Sequence, residues 1–303
     1  MADVAIKKII HSADYDIRSL DRHSGLRIRG VFDTSIAARF TGATRLGLET
    51  IIKDMLGVDI DKSKALQRSD WGRRPLSSEA LDYAATDVRH LVALWEILDA
   101  KLQTLGRTTW VAEECARIEE VRYKIQDIET AFLSVKGSKD LDERQLAVLR
   151  SLFLFREEEA IRQHRPPFFV LPDAALIFLA VNPLADLKDV PGLGQTGLKR
   201  FGFGLLQAVQ RGITAPHVTR PRSVRTLRPT EEQVQRLTKL KEWRTSLGSS
   251  FAIDPSLLWP LLSLERLSRD PGSLSAELTH ESIRRWQRDV VASSLQACLK
   301  SLG

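Results

Sequence analysis

Residues 67–91 read QRSDWGRRPLSSEALDYAATDVRHL, and this stretch governs how the rest of the chain is read. Ser77-Ser78-Glu79-Ala80 follows Pro75 and leads into an apolar-periodic run, which predicts a capped helix starting near Ser77. Within that helix Tyr83 and Asp87 are four residues apart, so a phenol and a carboxylate lie one turn apart on one face. A carboxylate is a hard oxygen donor suited to Mg²⁺ or Mn²⁺. A phenol, with an ordinary pKa of about 10, can orient a water and is acidified by nearby cations. Taken alone, Tyr-x-x-x-Asp is common and more often describes a solvated Asp beside a packed Tyr.

Working back towards the N-terminus, strand and helix signals alternate. KKIIHSA and IRGVF are short apolar runs with β-branched content, which predicts buried strands. Helical patterns cover Asp14 to Arg22, Ser35 to Phe40 and Leu46 to Leu56. Such alternation predicts an α/β layer over residues 1–100. Asp33 stands where it would cap the following helix, although its carboxylate would also lie near a site at the strand ends.

Towards the C-terminus the period is helical throughout, giving a connecting region at 101–138 and compact units at 139–214 and 230–303. The two units share an order of elements. Phe155-Arg156 precedes Val170-Leu171-Pro172-Asp173 in the first, and Trp243-Arg244 precedes Phe251-Ala252-Ile253-Asp254 in the second. Matching Asp173 to Asp254 leaves a shorter connection in the second unit, and the pattern implies a duplicated small domain. Trp243, Trp259 and Trp286 are read as core anchors of the second unit.

Composition sets the broad class. The 303 residues, 43% hydrophobic and 28% charged, suffice for two or three separate cores. No run approaches the length of a membrane span, and MADVAIKKIIHSADYD has no signal-peptide pattern, so a cytoplasmic protein is expected. Two isolated cysteines, Cys115 and Cys298, form neither a disulfide framework nor a thiolate zinc site and are read as packing residues. The net charge of +6 is concentrated at 215–229, APHVTRPRSVRTLRP, where Arg220, Arg222, Arg225 and Arg228 stand among three prolines with no acid. This reads as a semi-extended linker, either a soluble tether or a set of phosphate contacts.

Four segments in order, HSADYDIRSL at 11–20, VFDTSIAARF at 31–40, LETIIKDMLGVDIDKS at 48–63 and the stretch at 67–91, resemble the exonuclease domain of the ribonuclease D family. The run DWGRRPL followed by YAATD is the most specific part. The units at 139–214 and 230–303 look like HRDC domains, the helicase and ribonuclease D C-terminal module. The resemblance implies an α/β ribonuclease H-like exonuclease domain, N-terminally truncated, followed by two all-α HRDC-like helical domains. It implies that Asp16 and Asp87 bind metal and that Tyr83 aligns the attacking water, which places the chain in the tyrosine subclass. His11 is then a structural hydrogen-bonding residue rather than a base.

The family's first motif, Asp-x-Glu on an opening strand, is not found before Asp16. The one Asp-x-Glu is Asp127-Ile128-Glu129, in a helical context where alternate positions face different ways. Two-metal hydrolysis needs cations about 3.5–4 Å apart, for which Asp16 and Asp87 supply only two carboxylates. The expected activity is therefore impaired. Trp71, Arg73 and Arg74 form a cationic and aromatic cluster that either holds a phosphate or stacks on a base, or merely packs and pairs locally. Val190-Pro191-Gly192-Leu193-Gly194 before Lys199 and Arg200 resembles a hairpin that approaches phosphate at a helix N-terminus, or a plain helix boundary.

The resemblance implies a monomeric, Mg²⁺- or Mn²⁺-dependent 3′–5′ exoribonuclease acting on RNA 3′ ends such as those of tRNA precursors, without membrane association. Two alternatives stay open. One is an inactive nucleic-acid-binding protein built on the HRDC-like units; the other is a DNA exonuclease, as in the related Werner-type enzymes, with single-stranded DNA as partner.

Overall fold

A computed structural model describes residues 1–60, 64–67, 69–124, 127–221 and 228–302. The chain forms two compact units, one comprising Met1–Tyr123 with Leu227–Gly303 and the other Lys124–Thr226.

In the first unit β1 (Lys8–Ile10) and β2 (Val31–Asp33) pair in parallel, with Lys8 opposite Val31 and Ile10 opposite Asp33. A parallel pair needs a crossover, and α1 (Asp14–Ser24) provides it. This helix buries Ile17 against Ala13, Ile28 and Val31, and ends on Gly25 in the left-handed region at φ 61°. The strands expected from KKIIHSA and IRGVF are thus present but only three residues each, and among the described residues they make the whole sheet. Helices α2 (Thr34–Phe40), α3 (Leu48–Leu56), α4 (Lys64–Gln67), α5 (Ser78–Arg89), α6 (Leu91–Thr104) and α7 (Thr108–Glu119) follow. Leu91, Leu94, Leu98 and Leu102 recur at helical spacing and give α6 its buried stripe, with α2 and α3 packed against it. Cys115 on α7 is buried, and burial pushes its thiol up to about 12.

The second unit opens with α8 (Ile128–Ala131), capped by Asp127, whose carboxylate accepts from the Glu129 amide at 3.0 Å. Asp127 and Glu129 therefore sit at an exposed helix start, as expected. Then come α9 (Glu143–Arg162), α10 (Pro167–Val170), α11 (Asp173–Val181) and α12 (Gly194–Thr214). Asp142 and Gln145 close a capping box on α9. Leu149, Leu152, Leu171, Leu176 and Leu205 fill the core. Helices α9 and α12 approach so closely that a Cβ on Gly212 would meet Val148 Cα at 2.4 Å.

Back in the first unit lie α13 (Glu231–Phe251), α14 (Pro255–Leu258), α15 (Leu261–Arg269), α16 (Leu274–Thr279) and α17 (Arg285–Ser301). The first three of these begin 88 residues after α9, α10 and α11 (143 to 231, 167 to 255, 173 to 261). His164 and Ala252, 88 apart, both take left-handed φ, 51° and 50°. Arg156 Nη1 donates to the Leu171 carbonyl and Arg244 Nη1 to the Trp259 carbonyl, each 15 residues on, at 3.5 and 2.9 Å. The order of elements repeats, in a register that differs from the expected one. Asp254 falls opposite Pro166 rather than Asp173, and the connection is not shortened. Asp173 instead pairs with Arg156 at 2.7 Å, whereas Asp254 caps α14 and pairs with Arg39 at 3.8 Å.

The helices at 231–301 share one core with α2, α3, α6 and α7. Buried Arg107 donates to the carbonyls of Phe40 at 2.7 Å and Phe251 at 2.5 Å. Trp110 stacks on Trp286 with centroids 4.8 Å apart, and Glu113 accepts from the Arg285 and Trp286 amides at 2.7 and 3.0 Å. Trp259 and Trp286 are core anchors, as the sequence predicts; Trp243 packs at the edge and donates to Ser294 Oγ at 2.8 Å.

Candidate active site

The carboxyl ends of β1 and β2 are joined through Asp33. This residue is 1% exposed, and its carboxylate accepts from the Ser12 amide at 3.1 Å, the Ala13 amide at 2.7 Å, and the Ser35 amide and hydroxyl at 2.8 and 2.9 Å. It caps α2 and pins the turn into α1, where Ser12 takes φ 58°. Those bonds commit it to structure and fix where the next carboxylate stands.

That carboxylate is Asp16, in the first turn of α1. The residue is exposed, yet its carboxyl is partly withdrawn from water and lies in the field of Asp33. Desolvation first and the Asp33 charge second raise its pKa above the ordinary Asp value, against its own backbone hydrogen bond. A carboxyl made uncomfortable by a like charge is one that a cation would relieve. His11, at the strand end, bonds Thr34 Oγ1 and the Leu46 carbonyl, both at 2.9 Å, which is the structural role expected of it.

Tyr83 and half-buried Asp87 stand one turn apart on α5, which Ser77 caps by accepting from the Ala80 amide at 3.2 Å. The Trp71 ring lies 5.9 Å from that of Tyr83, so the turn at 69–75 walls the phenol. The cationic cluster expected there is only partly available. Arg74 folds back to donate to the Trp71 and Arg73 carbonyls at 2.8 and 3.0 Å, while Arg73 is exposed. Among the described residues no group of three or more His, Cys, Asp or Glu side chains is arranged to hold a metal ion. Asp16 and Asp87 offer the right donor chemistry for a hard cation, but two carboxylates are few for a metal pair.

In the other unit Lys199 and Arg200 are exposed near the start of α12, with the Arg200 guanidinium 5.5 Å from the Phe201 ring. Gly192 and Gly194 before them take positive φ, 76° and 59°. Arg220 is engaged rather than extended on a tether: it donates to the Ser138 carbonyl, and the Val218 amide bonds the Glu143 carbonyl at 3.1 Å. The 215–229 segment therefore begins fastened to its own unit. Arg222 and Arg225 lie outside the described residues.

A family model for the 3′–5′ exonuclease matches residues 1–103, and one for the HRDC domain matches 145–209. Ribonuclease D of Granulibacter bethesdensis is 30% identical over 299 residues, covering 96% of this chain and 73% of that protein. The chain belongs to the ribonuclease D family. Ribonuclease D of Pseudomonas paraeruginosa is 28% identical over 305 residues, covering 99% of this chain and 80% of that protein. Among solved structures, RNase D of Escherichia coli, described as an exoribonuclease involved in structured RNA processing, shares the fold at TM-score 0.67. It has 24% identity and covers 99% of this chain and 80% of that one. A protein from Bifidobacterium adolescentis superposes at TM-score 0.78 and 22% identity, over 96% and 78% of the two chains. For the ribonuclease D family this places the exonuclease segment on β1 to α6 and an HRDC domain on α9 to α12. No helix among the described residues is long and apolar enough to cross a membrane.

Proposed function

We propose that the chain is a 3′–5′ exoribonuclease that trims the 3′ ends of structured RNA such as tRNA precursors, releasing nucleoside 5′-monophosphates with Mg²⁺ or Mn²⁺. The observation that carries this reading is Tyr83 and Asp87 one turn apart on α5, inside the segment that matches the exonuclease family. Asp16 and Asp87 would hold the divalent cation, which supplies an activated water and charge neutralisation at phosphorus. Tyr83, set against Trp71, orients the incoming water through its hydroxyl. Residues 1–100 form the catalytic segment, 101–138 a connection, 139–214 a first HRDC domain, 215–229 a basic linker and 230–303 a second HRDC domain. The 88-residue register between α9–α11 and α13–α15 supports the second. The molecule is read as a cytoplasmic monomer whose basic residues, Lys199, Arg200 and the 220–228 arginines, meet RNA phosphates with Trp71, Arg73 and Arg74 near the 3′ end.

The test is shortening of 3′-labelled RNA in Mg²⁺ or Mn²⁺. We expect weak activity, because the chain's only Asp-x-Glu lies at 127–129, and we expect Asp87→Asn to abolish it with RNA binding retained. Equal activity in the variant removes Asp87 from the metal site. The scarcity of grouped carboxylates among the described residues favours one second reading, an RNA-binding protein without turnover. That reading stands if RNA binds and no metal shortens it.

A further inference from the structure

The outward face of α12 carries residues that its own core does not use. Phe201, Leu205, Ala208 and Val209 turn inward, whereas Phe203 is 77% and Leu206 54% exposed. Leu184, from the loop after α11, is 91% exposed beside them. With Pro183, Gln207 and Gln210 they line a surface groove of about 450 Å³. An aromatic ring and a leucine held in water on a helix, with a second leucine from the neighbouring loop, mark a contact surface, since exposure of that much apolar area opposes folding without helping the core.

The charges around the groove identify the occupant. The 21 residues of α12 include Lys199, Arg200 and Arg211 and no acid. Lys199 and Arg200 precede Phe203 by four and three residues, so they flank the ring on its own side, and Arg211 follows Gln207 by four. Asp186, in the loop that leads to the helix, is occupied by the Lys188 amide at 3.0 Å and by the Lys188 ammonium. A face of one aromatic ring, two amides and three cations suits an unpaired base joined to phosphates: the ring stacks, the amides meet base edges, and the cations neutralise the backbone. A protein partner would have to bury those cations against acids.

We infer that this groove is a base-stacking subsite for single-stranded RNA, with Phe203 and Leu184 holding the base and Lys199 and Arg200 the flanking phosphates. The inference rests on the RNA-directed reading above, and it adds a contact for the RNA away from the residues that cut it.

The experiment titrates a fluorescein-labelled oligouridylate with the full chain and with Phe203→Ala, Phe203→Trp and Lys199→Ala/Arg200→Ala. Removing the ring should weaken binding about ten-fold, and Phe203→Trp should keep it, with indole fluorescence quenched by the oligonucleotide. The double variant should weaken binding and flatten its salt dependence. Wild-type affinity in Phe203→Ala, with the double variant still weakened, overturns the subsite and leaves RNA binding standing. Failure of the unaltered chain to bind overturns both. A change of sedimentation in Phe203→Ala without a change in RNA affinity assigns the groove to a second copy of the chain and also overturns the subsite. Far-ultraviolet circular dichroism confirms that each variant is folded.

Discussion

The helices at 143–214 and at 231–301 are two copies of one scaffold put to different uses. Both run long helix, four-residue turn beginning with Pro, nine-residue helix and long closing helix, and both bind the turn to the first helix through an Arg to a carbonyl 15 residues on. In the first copy Leu171, Ala175 and Phe178 lie in or against the core, and Asp189 is exposed. At the matching positions the second copy carries Trp259, Ser263, Arg266 and Glu277. There Trp259 Nε1 donates to Ser263 Oγ at 2.8 Å, and Ser263 Oγ donates to Glu277 at 2.6 Å. The second copy also gives its surface to the start of the connecting region, through Arg107 on Phe251, Trp110 on Trp286, Glu113 on the first amides of α17 and Glu114, which pairs with Arg284 at 2.8 Å. A repeated bundle can therefore hold its backbone while one copy turns inward to brace a neighbour and the other keeps the outward face of its closing helix exposed.

If the two copies belong to separate compact units, a clash placed in one should leave the other intact. Gly212→Ala drives a Cβ into Val148 backbone, and we expect a loss of about 3 kcal/mol confined to the unit at 124–226. Calorimetry should show one transition falling and the other unmoved; a joint fall would break the comparison. A smaller effect, about 2 kcal/mol, is expected in the other unit for Glu277→Gln, which removes the charge that Arg266 and Ser263 satisfy. The Arg266 hydrogen bond foremost holds the Glu277 carboxyl below its ordinary range, against the opposing effect of burial. Its contribution is therefore complete above the ordinary Glu value and disappears as the pH falls through the lowered one. Acid melting of the unaltered chain should slope in that window, and the variant should lose that slope. The first copy, lacking the group, should show no counterpart.

Much of this was legible in the residues themselves. Ser77 before an apolar-periodic run announced α5, β-branched runs announced β1 and β2, and Asp33 stood where a cap belongs. The duplication was visible in Phe155-Arg156 and Trp243-Arg244, but its register was drawn from two aspartates that do different work. The pair that would have aligned it is Pro167 with Pro255, each at the first position of a short helix. The joining of α7 to the last bundle could not be read, because Arg107 to Phe251 and Glu113 to Arg285 are contacts across 144 and 172 residues. Phe203 carried no motif that singled it out in the sequence. Its separation of two from Phe201 was the available signal, since positions i and i+2 do not share a helical face.

The smallest effect expected is also the most specific to the second copy. Glu113 reaches from α7 to the start of α17 and accepts from two successive backbone amides, one on each carboxylate oxygen, doing from outside the chain segment what a cap does from within. Glu113→Gln keeps one accepting oxygen and loses the other together with the negative charge, which the helix dipole favours at that end. We expect a cost of about 1 kcal/mol in the unit that holds α17, read as a lowered denaturation midpoint, with the difference shrinking in high salt because part of it is charge on dipole. Helix α12 of the first copy, in the other unit, should respond to the substitution not at all. A variant as stable as the unaltered chain at low salt would mean that Trp110 against Trp286 and Arg107 on two carbonyls brace the bundle alone, with the carboxylate a bystander.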